Sequence, residues 1–243
     1  MLKSEVKVER SPAPGLGLLV PILAIAAAAL LVGAGRTTAS PPPTGLPACE
    51  AADRPAPHRA YDEWDETMLD PALTLGPDYR PPDLGETTVG GRRVTLRAFV
   101  VAPLKTMLDA AATEGHAISV TSAYRSFGEQ ERLVAASPGL NDEVARPGHS
   151  EHQLGTTVDL AGGHGWLRVN ASRYGFLLSF PAGRGPQWTC YRDEPWHFRY
   201  FGPKRAQAIE QSGLSPREWL WARQPEAADD SHGDSRDGAR RDG

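Results

Sequence analysis

Residues 15 to 35 carry no charged side chain and are rich in Ala, Leu, Ile and Val. Lys3, Lys7 and Arg10 precede them, and Arg36 closes them. A run of about 20 apolar residues is long enough to cross a bilayer as a helix. Basic residues ahead of it favour keeping that end in the cytoplasm, which places the rest of the chain outside. The stretch therefore divides the chain into a cytoplasmic segment (1–14), a transmembrane anchor or signal segment (15–35), and a fold built from the residues beyond Arg36. A cleaved signal is the competing reading, since Val32-Gly33-Ala34 offers small residues for cleavage. The run is longer than the ~7–15 residues of a usual signal core, which favours the anchor. Pro21 does not decide, because membrane helices tolerate proline. The expected location is the cell membrane, single-pass, with the folded domain extracytoplasmic; secretion after cleavage is the alternative.

Residues 36–59 include Pro41, Pro42, Pro43, Pro47, Pro55 and Pro57 and read as an extended linker that holds the domain off the membrane. Residues 224–243 are polar and charged without apolar periodicity, so a disordered tail is expected. Between them, 60–223 are enough to bury a substantial core. The net charge is −4 and no long basic run occurs, which argues against a nucleic-acid partner. Nothing calls for an obligate protein partner. The two cysteines, Cys49 and Cys190, have two readings: a bridge, which an oxidising compartment favours, or two unrelated thiols.

Within the domain, helical spacing of Leu104, Met107, Leu108 and Ala111 predicts a helix from Pro103 to Glu114, stopped by Gly115. Ala117–Thr121 alternates as a strand. Ser126-Phe127-Gly128-Glu129 has the form of a capping box opening a helix to about Ala136. Thr156–Ala161 reads as a strand carrying Asp159, Trp166–Tyr174 as a weaker helix closed by Gly175, and Phe176–Phe180 as a buried strand. Tyr191–Tyr200 reads as a strand broken at Pro195. Pro203–Ser212 is a helix ended by Gly213, and Ser215-Pro216-Arg217-Glu218 caps a last short one. The mixture lacks a regular βαβ rhythm, which favours α+β.

Three short segments carry chemistry. Ser150-Glu151-His152-Gln153-Leu154-Gly155-Thr156-Thr157-Val158-Asp159 places His152 on a turn and Asp159 on the strand after it, with Gly155 allowing the turn. Glu194-Pro195-Trp196-His197 adds a carboxylate and an imidazole. Residues three apart on a straight strand face opposite sides, so the chain must bend at Pro195 for both to serve one site. Two imidazoles, one carboxylate and a spare carboxylate are the inventory of a catalytic zinc site: three ligands, an open position for water and a base. The third segment, Ser122-Ala123-Tyr124-Arg125-Ser126 with Gln130, puts Arg125 between a strand and a capped helix, where it could lend charge to an oxyanion. His149 and His164 are weaker substitutes as ligands. Taken singly, each segment has a bland reading as surface or strand-end residues.

Together the segments resemble the zinc D-alanyl-D-alanine carboxypeptidases of the VanY type, with the hedgehog/DD-peptidase fold. The pattern S-x-H-x-x-G-x-A-x-D is matched by Ser150, His152, Gly155 and Asp159, with Thr157 replacing its alanine. E-P-W-H followed by F-R-Y-x-G is matched from Glu194 to Gly202, and Y-R-S…Q by Tyr124, Arg125, Ser126 and Gln130. Asp78 to Leu84 also resembles the start of the family domain. The resemblance implies a central antiparallel sheet flanked by helices and one zinc ion held by His152, Asp159 and His197. It implies Glu194 as general base and Arg125 as the group stabilising charge on the attacked carbonyl. It implies Ser150, Gln130 and Tyr124 as substrate-binding residues. The expected activity is removal of the terminal D-Ala of peptidoglycan stem peptides. An L,D-carboxypeptidase, a D,D-dipeptidase or an endopeptidase on the same peptides is the near alternative. A non-catalytic zinc-containing wall-binding module is the distant one.

Overall fold

The structure, a computed structural model, describes residues 45–139 and 143–224. The expected anchor or signal segment at 15–35, the first part of the expected linker and the tail from 225 on lie outside the described residues. Among the described residues no helix is long and apolar enough to cross a membrane.

Along the chain the elements are β1 (Arg54–Pro55), β2 (Leu73–Thr74), β3 (Leu84–Val89), β4 (Arg92–Arg97), α1 (Ala98–Thr113), β5 (Ser119–Ser122) and α2 (Phe127–Ala136). Next are a 3-10 turn (Glu151–Leu154), β6 (Thr157–Ala161), α3 (His164–Asn170), a second 3-10 turn (Ala171–Tyr174) and β7 (Phe176–Leu178). Then come α4 (Pro186–Thr189), β8 (His197–Tyr200), α5 (Pro203–Ser212) and α6 (Pro216–Trp221). The α+β expectation is borne out. The main sheet has the order β5-β6-β8-β7 and is antiparallel throughout.

Strand alternation gives this sheet two unlike faces. Val158 and Leu160 of β6 and Phe198 and Tyr200 of β8 join Val100, Leu104, Met107 and Ala111 of α1 in one apolar core. Asp159, His197 and Arg199 stand on the alternate positions and so on the opposite face. A second core gathers Met68, Leu69, Leu75, Leu154, Phe201, Ile209 and Trp219.

Three local expectations change. Helix α1 begins at Ala98, so Pro103 lies inside it and not at its first turn. Burial of Val100 extends the apolar stripe one turn further back and outweighs the hydrogen bond that proline cannot donate. The strand expected from Tyr191 starts only at His197, because Glu194 to His197 form a turn closed by His197 N–H to Glu194 O at 3.1 Å. The linker expectation through residue 59 also meets folded chain. Arg54 and Ala56 donate backbone hydrogen bonds to Ala72 and Thr74, Ala56 is buried, and Cys49 is bridged to Cys190. Proline at 55 is compatible with this edge pairing because its missing donor falls between the two bonded residues. Both expected capping boxes are present, at Ser126 with Glu129 and at Ser215 with Glu218.

Candidate metal centre

Sheet register explains why two distant segments meet. Asp159 of β6 lies directly opposite His197 of β8, so their side chains leave the same face side by side. His152 arrives from the 3-10 turn, which ends at Gly155 with φ +72°. A Cβ there would sit 2.7 Å from Leu84 Cδ2 and 3.0 Å from Arg97 Cγ, so the turn needs glycine for both conformation and space. One ligand atom from each of His152, Asp159 and His197 falls within 4.8 Å of the others. His152 Nε2 is 3.3 Å from Asp159 Oδ2, and His197 Nδ1 is 3.4 Å from Asp159 Oδ1. The turn at Pro195 brings Glu194 Oε2 to 3.3 Å from His197 Nδ1.

Asp159 Oδ1 is buried yet accepts no hydrogen bond from the protein. A buried carboxylate oxygen without a donor, flanked by two imidazoles, suits a divalent cation. Nitrogen and carboxylate ligands in this number fit zinc, and the set is also open to other divalent ions.

The electrostatics are those of a cation site. Burial opposes the charged form of His197, but the carboxylates of Asp159, Glu151 and Glu194 around the ring outweigh it and raise its pKa well above the usual value. Burial pushes His152 down, with Asp159 opposing. Burial also works against ionisation of Asp159, yet the two imidazoles hold its pKa below the usual carboxylate range. Burial lowers the Arg125 pKa against the pull of Asp159 and Glu194.

The other expected site residues surround the triad. Arg125 sits between β5 and α2, its backbone N–H bonded to His152 O at 3.3 Å and its buried Nε without a partner. Arg125, Gln130, Ser150 and Glu194 line one cavity with the triad, walled by Leu69, Phe180, Tyr191 and Trp196. Gln130 donates from Nε2 to Ala145 O at 2.6 Å, leaving Oε1 unpartnered. Tyr124 does not line this cavity; it faces a neighbouring open groove under the Arg80 guanidinium, and Arg125 borders both. The Thr157 hydroxyl is buried without a hydrogen bond and does not hold Asp159. His149 and His164 are engaged elsewhere: His149 with Asp70 O and Asp53, His164 with Leu160 O.

Sequence reasoning passed over Glu151 and Arg199. Glu151 is buried, its Oε2 lies 3.2 Å from His197 Nε2, and its Oε1 accepts from Arg199 Nη1 at 2.8 Å. Burial opposes its ionisation, but Arg199 and His197 hold its pKa down to about 2. A signal was available. Arg199 is two residues from His197 on one strand, hence on the same buried face, and a buried guanidinium requires an anion.

A family model described as VanY, D-alanyl-D-alanine carboxypeptidase, matches residues 93–203, which hold every residue expected at the site. A D-alanyl-D-alanine carboxypeptidase of Enterococcus faecalis is 32% identical over 160 residues, covering 56% of this chain and 58% of that protein. The chain spans only 50% and 58% of the length of the first two curated relatives it matches. The structure of the LdcB LD-carboxypeptidase is 29% identical with a TM-score of 0.57, covering 65% of this chain and 87% of that one. A point mutant of the vancomycin-resistance D,D-pentapeptidase VanY, in complex with Zn(II), is 26% identical with a TM-score of 0.57, covering 65% of this chain and 99% of that one. Fold, site and family match agree: the chain belongs to the VanY-type D-alanyl-D-alanine carboxypeptidase family.

Proposed function

We propose that the chain is a zinc-dependent D-alanyl-D-alanine carboxypeptidase that removes the terminal D-Ala of peptidoglycan stem peptides. The observation that carries this reading is the convergence of His152, Asp159 and His197 beside the Glu194 carboxylate, in one cavity with Arg125. His152, Asp159 and His197 would hold a single zinc ion, which would supply Lewis acidity and ease the ionisation of the attacking water. Glu194 takes the proton of the attacking water and delivers it to the departing amine. Arg125 stabilises the charge that develops on the carbonyl oxygen. The free Gln130 Oε1 and the Ser150 side chain hold the peptide end, and Leu69, Phe180 and Trp196 keep bulk water from it. Tyr124 contacts the substrate further along, in the groove beyond Arg125.

We place the domain outside the cytoplasm, tethered by residues 15–35 as a single-pass anchor. The Cys49–Cys190 bridge supports that compartment, since disulfides persist in oxidising surroundings. Protease treatment of intact spheroplasts should remove the domain; complete protection would overturn this placement.

The test of function is product mass after incubating the zinc-loaded chain with defined stem peptides. A pentapeptide should lose one alanine residue, chelation should stop the reaction, and zinc should restore it. Trimming of the tetrapeptide alone indicates an L,D-carboxypeptidase, and release of a dipeptide a D,D-dipeptidase. Wall binding without any hydrolysis sinks the peptidase reading.

A further inference from the structure

A neutral imidazole carries its proton on one nitrogen and a lone pair on the other, and only the lone pair binds a cation. The two histidines of the triad have that choice made for them by different means. His152 Nδ1 lies 2.7 Å from Ala123 O, which can only accept, so its proton is on Nδ1 and its lone pair on Nε2. His197 uses the opposite nitrogen. Its Nδ1 faces Asp159 and Glu194, while its Nε2 lies 3.2 Å from Glu151 Oε2.

Glu151 precedes His152 in the chain and borders the same cavity, but it is not one of the residues whose ligand atoms converge. Its carboxylate takes Ser179 Oγ–H at 2.6 Å and Arg199 Nη1–H at 2.8 Å as well as the His197 ring. Arg199 is in turn pinned, donating from Nη2 to Trp64 O and Thr67 O at 2.7 Å each, and is fully buried. An anion is thus held at one place behind the His197 ring by donors that touch none of the ligand atoms.

We propose that Glu151 is a positioning residue: its carboxylate, locked by Arg199 and Ser179, fixes the proton of His197 on Nε2 and reserves Nδ1 for the cation. Partners of this kind orient a ligand imidazole and raise its basicity, and their loss typically weakens metal binding by ~10–100-fold. The inference rests on the zinc reading of the triad and is independent of whether any peptide is cut.

The decisive variant is Glu151→Gln in the full chain. With its carbonyl oxygen accepting from Arg199, the amide of Gln turns an N–H toward His197 Nε2. That nitrogen must then accept, and the proton moves to Nδ1, where zinc has to displace it. The expected result is a zinc dissociation constant ~10–100-fold higher by chelator competition, with an unchanged circular dichroism spectrum. A folded Glu151→Gln with wild-type zinc affinity overturns the proposal. A second measurement needs no variant. Long-range 1H–15N spectra of the zinc-loaded wild type should show His197 protonated at Nε2 and metallated at Nδ1. Metallation at Nε2 overturns the proposal even if Glu151→Gln does not fold. Failure of the wild type to cut any stem peptide, with these spectra as expected, removes the peptidase reading and leaves this one standing.

Discussion

The two sides of the cavity are built by different means. On one side, Asp159 and His197 are cross-strand neighbours in the antiparallel sheet, and Glu194 is held by a turn leading straight into β8. On the other side, the segment ending at His149 is held by side-chain staples to the stretch before Ala56. Arg146 bonds Asp53, Ala52 O and Pro71 O, and His149 bonds Asp53. The Cys49–Cys190 bridge fastens the same stretch to the chain just ahead of Glu194. Register cannot slip by one residue without sending Asp159 or His197 to the apolar face, so the sheet side is specified by the fold itself. The stapled side depends on individual contacts. Chemistry is therefore concentrated where position is overdetermined, and the rim is where change is cheap.

If that contrast holds, the largest effect comes from the sheet side. Glu194→Gln should retain zinc by elemental analysis yet lose ~10²–10⁴-fold in turnover on a stem pentapeptide. Near wild-type turnover would show that another group handles the proton. Arg125→Ala should come next, with a loss of ~10²–10³ in kcat and little change in zinc content. The disulfide staple should register in stability and not in metal binding. Replacing both Cys49 and Cys190 with Ser should lower unfolding free energy in urea by about 2–5 kcal/mol, while zinc affinity stays at the wild-type value. A large drop in affinity would erase the distinction between the two sides.

Acid should separate them further in the metal-free protein. The Glu151 carboxyl is depressed from 4.5 to about 2. Its contribution is therefore present above pH 4.5 and lost as pH falls toward 2, amounting to at most about 3 kcal/mol. Denaturation midpoints of the wild type should fall through that window, and those of Glu151→Gln should fall less. The smallest change is expected from Asp53→Asn on the exposed rim, which should leave zinc affinity unaltered and shift the urea midpoint barely at all.

Much of this was legible in the sequence, for identifiable reasons. Capping boxes and C-terminal glycines are local signals: helices α2 and α6 begin at their boxes, and α5 ends at Gly213. The Ser150–Asp159 and Glu194–His197 patterns contain the three residues whose ligand atoms converge, His152, Asp159 and His197. What escaped detection depends on distant partners. The early start of α1 comes from Val100 meeting the sheet, which no local propensity reports. The pairing of Arg54–Pro55 with β2 is a tertiary contact made by a stretch whose composition reads as free chain. Glu151 was visible as a residue, but its role needs Arg199 and Ser179, which lie far from it in the chain.

The cross-strand pairing of Asp159 with His197 bears on the protein's life with and without its ion. Small zinc modules owe their folding to the metal and come apart when stripped. Here the ligands are spaced by backbone ladders and by two apolar cores that draw on none of the three ligand side chains. The stripped chain is a standing receptacle, so depletion should silence it reversibly, and resupply should revive it without a round of refolding.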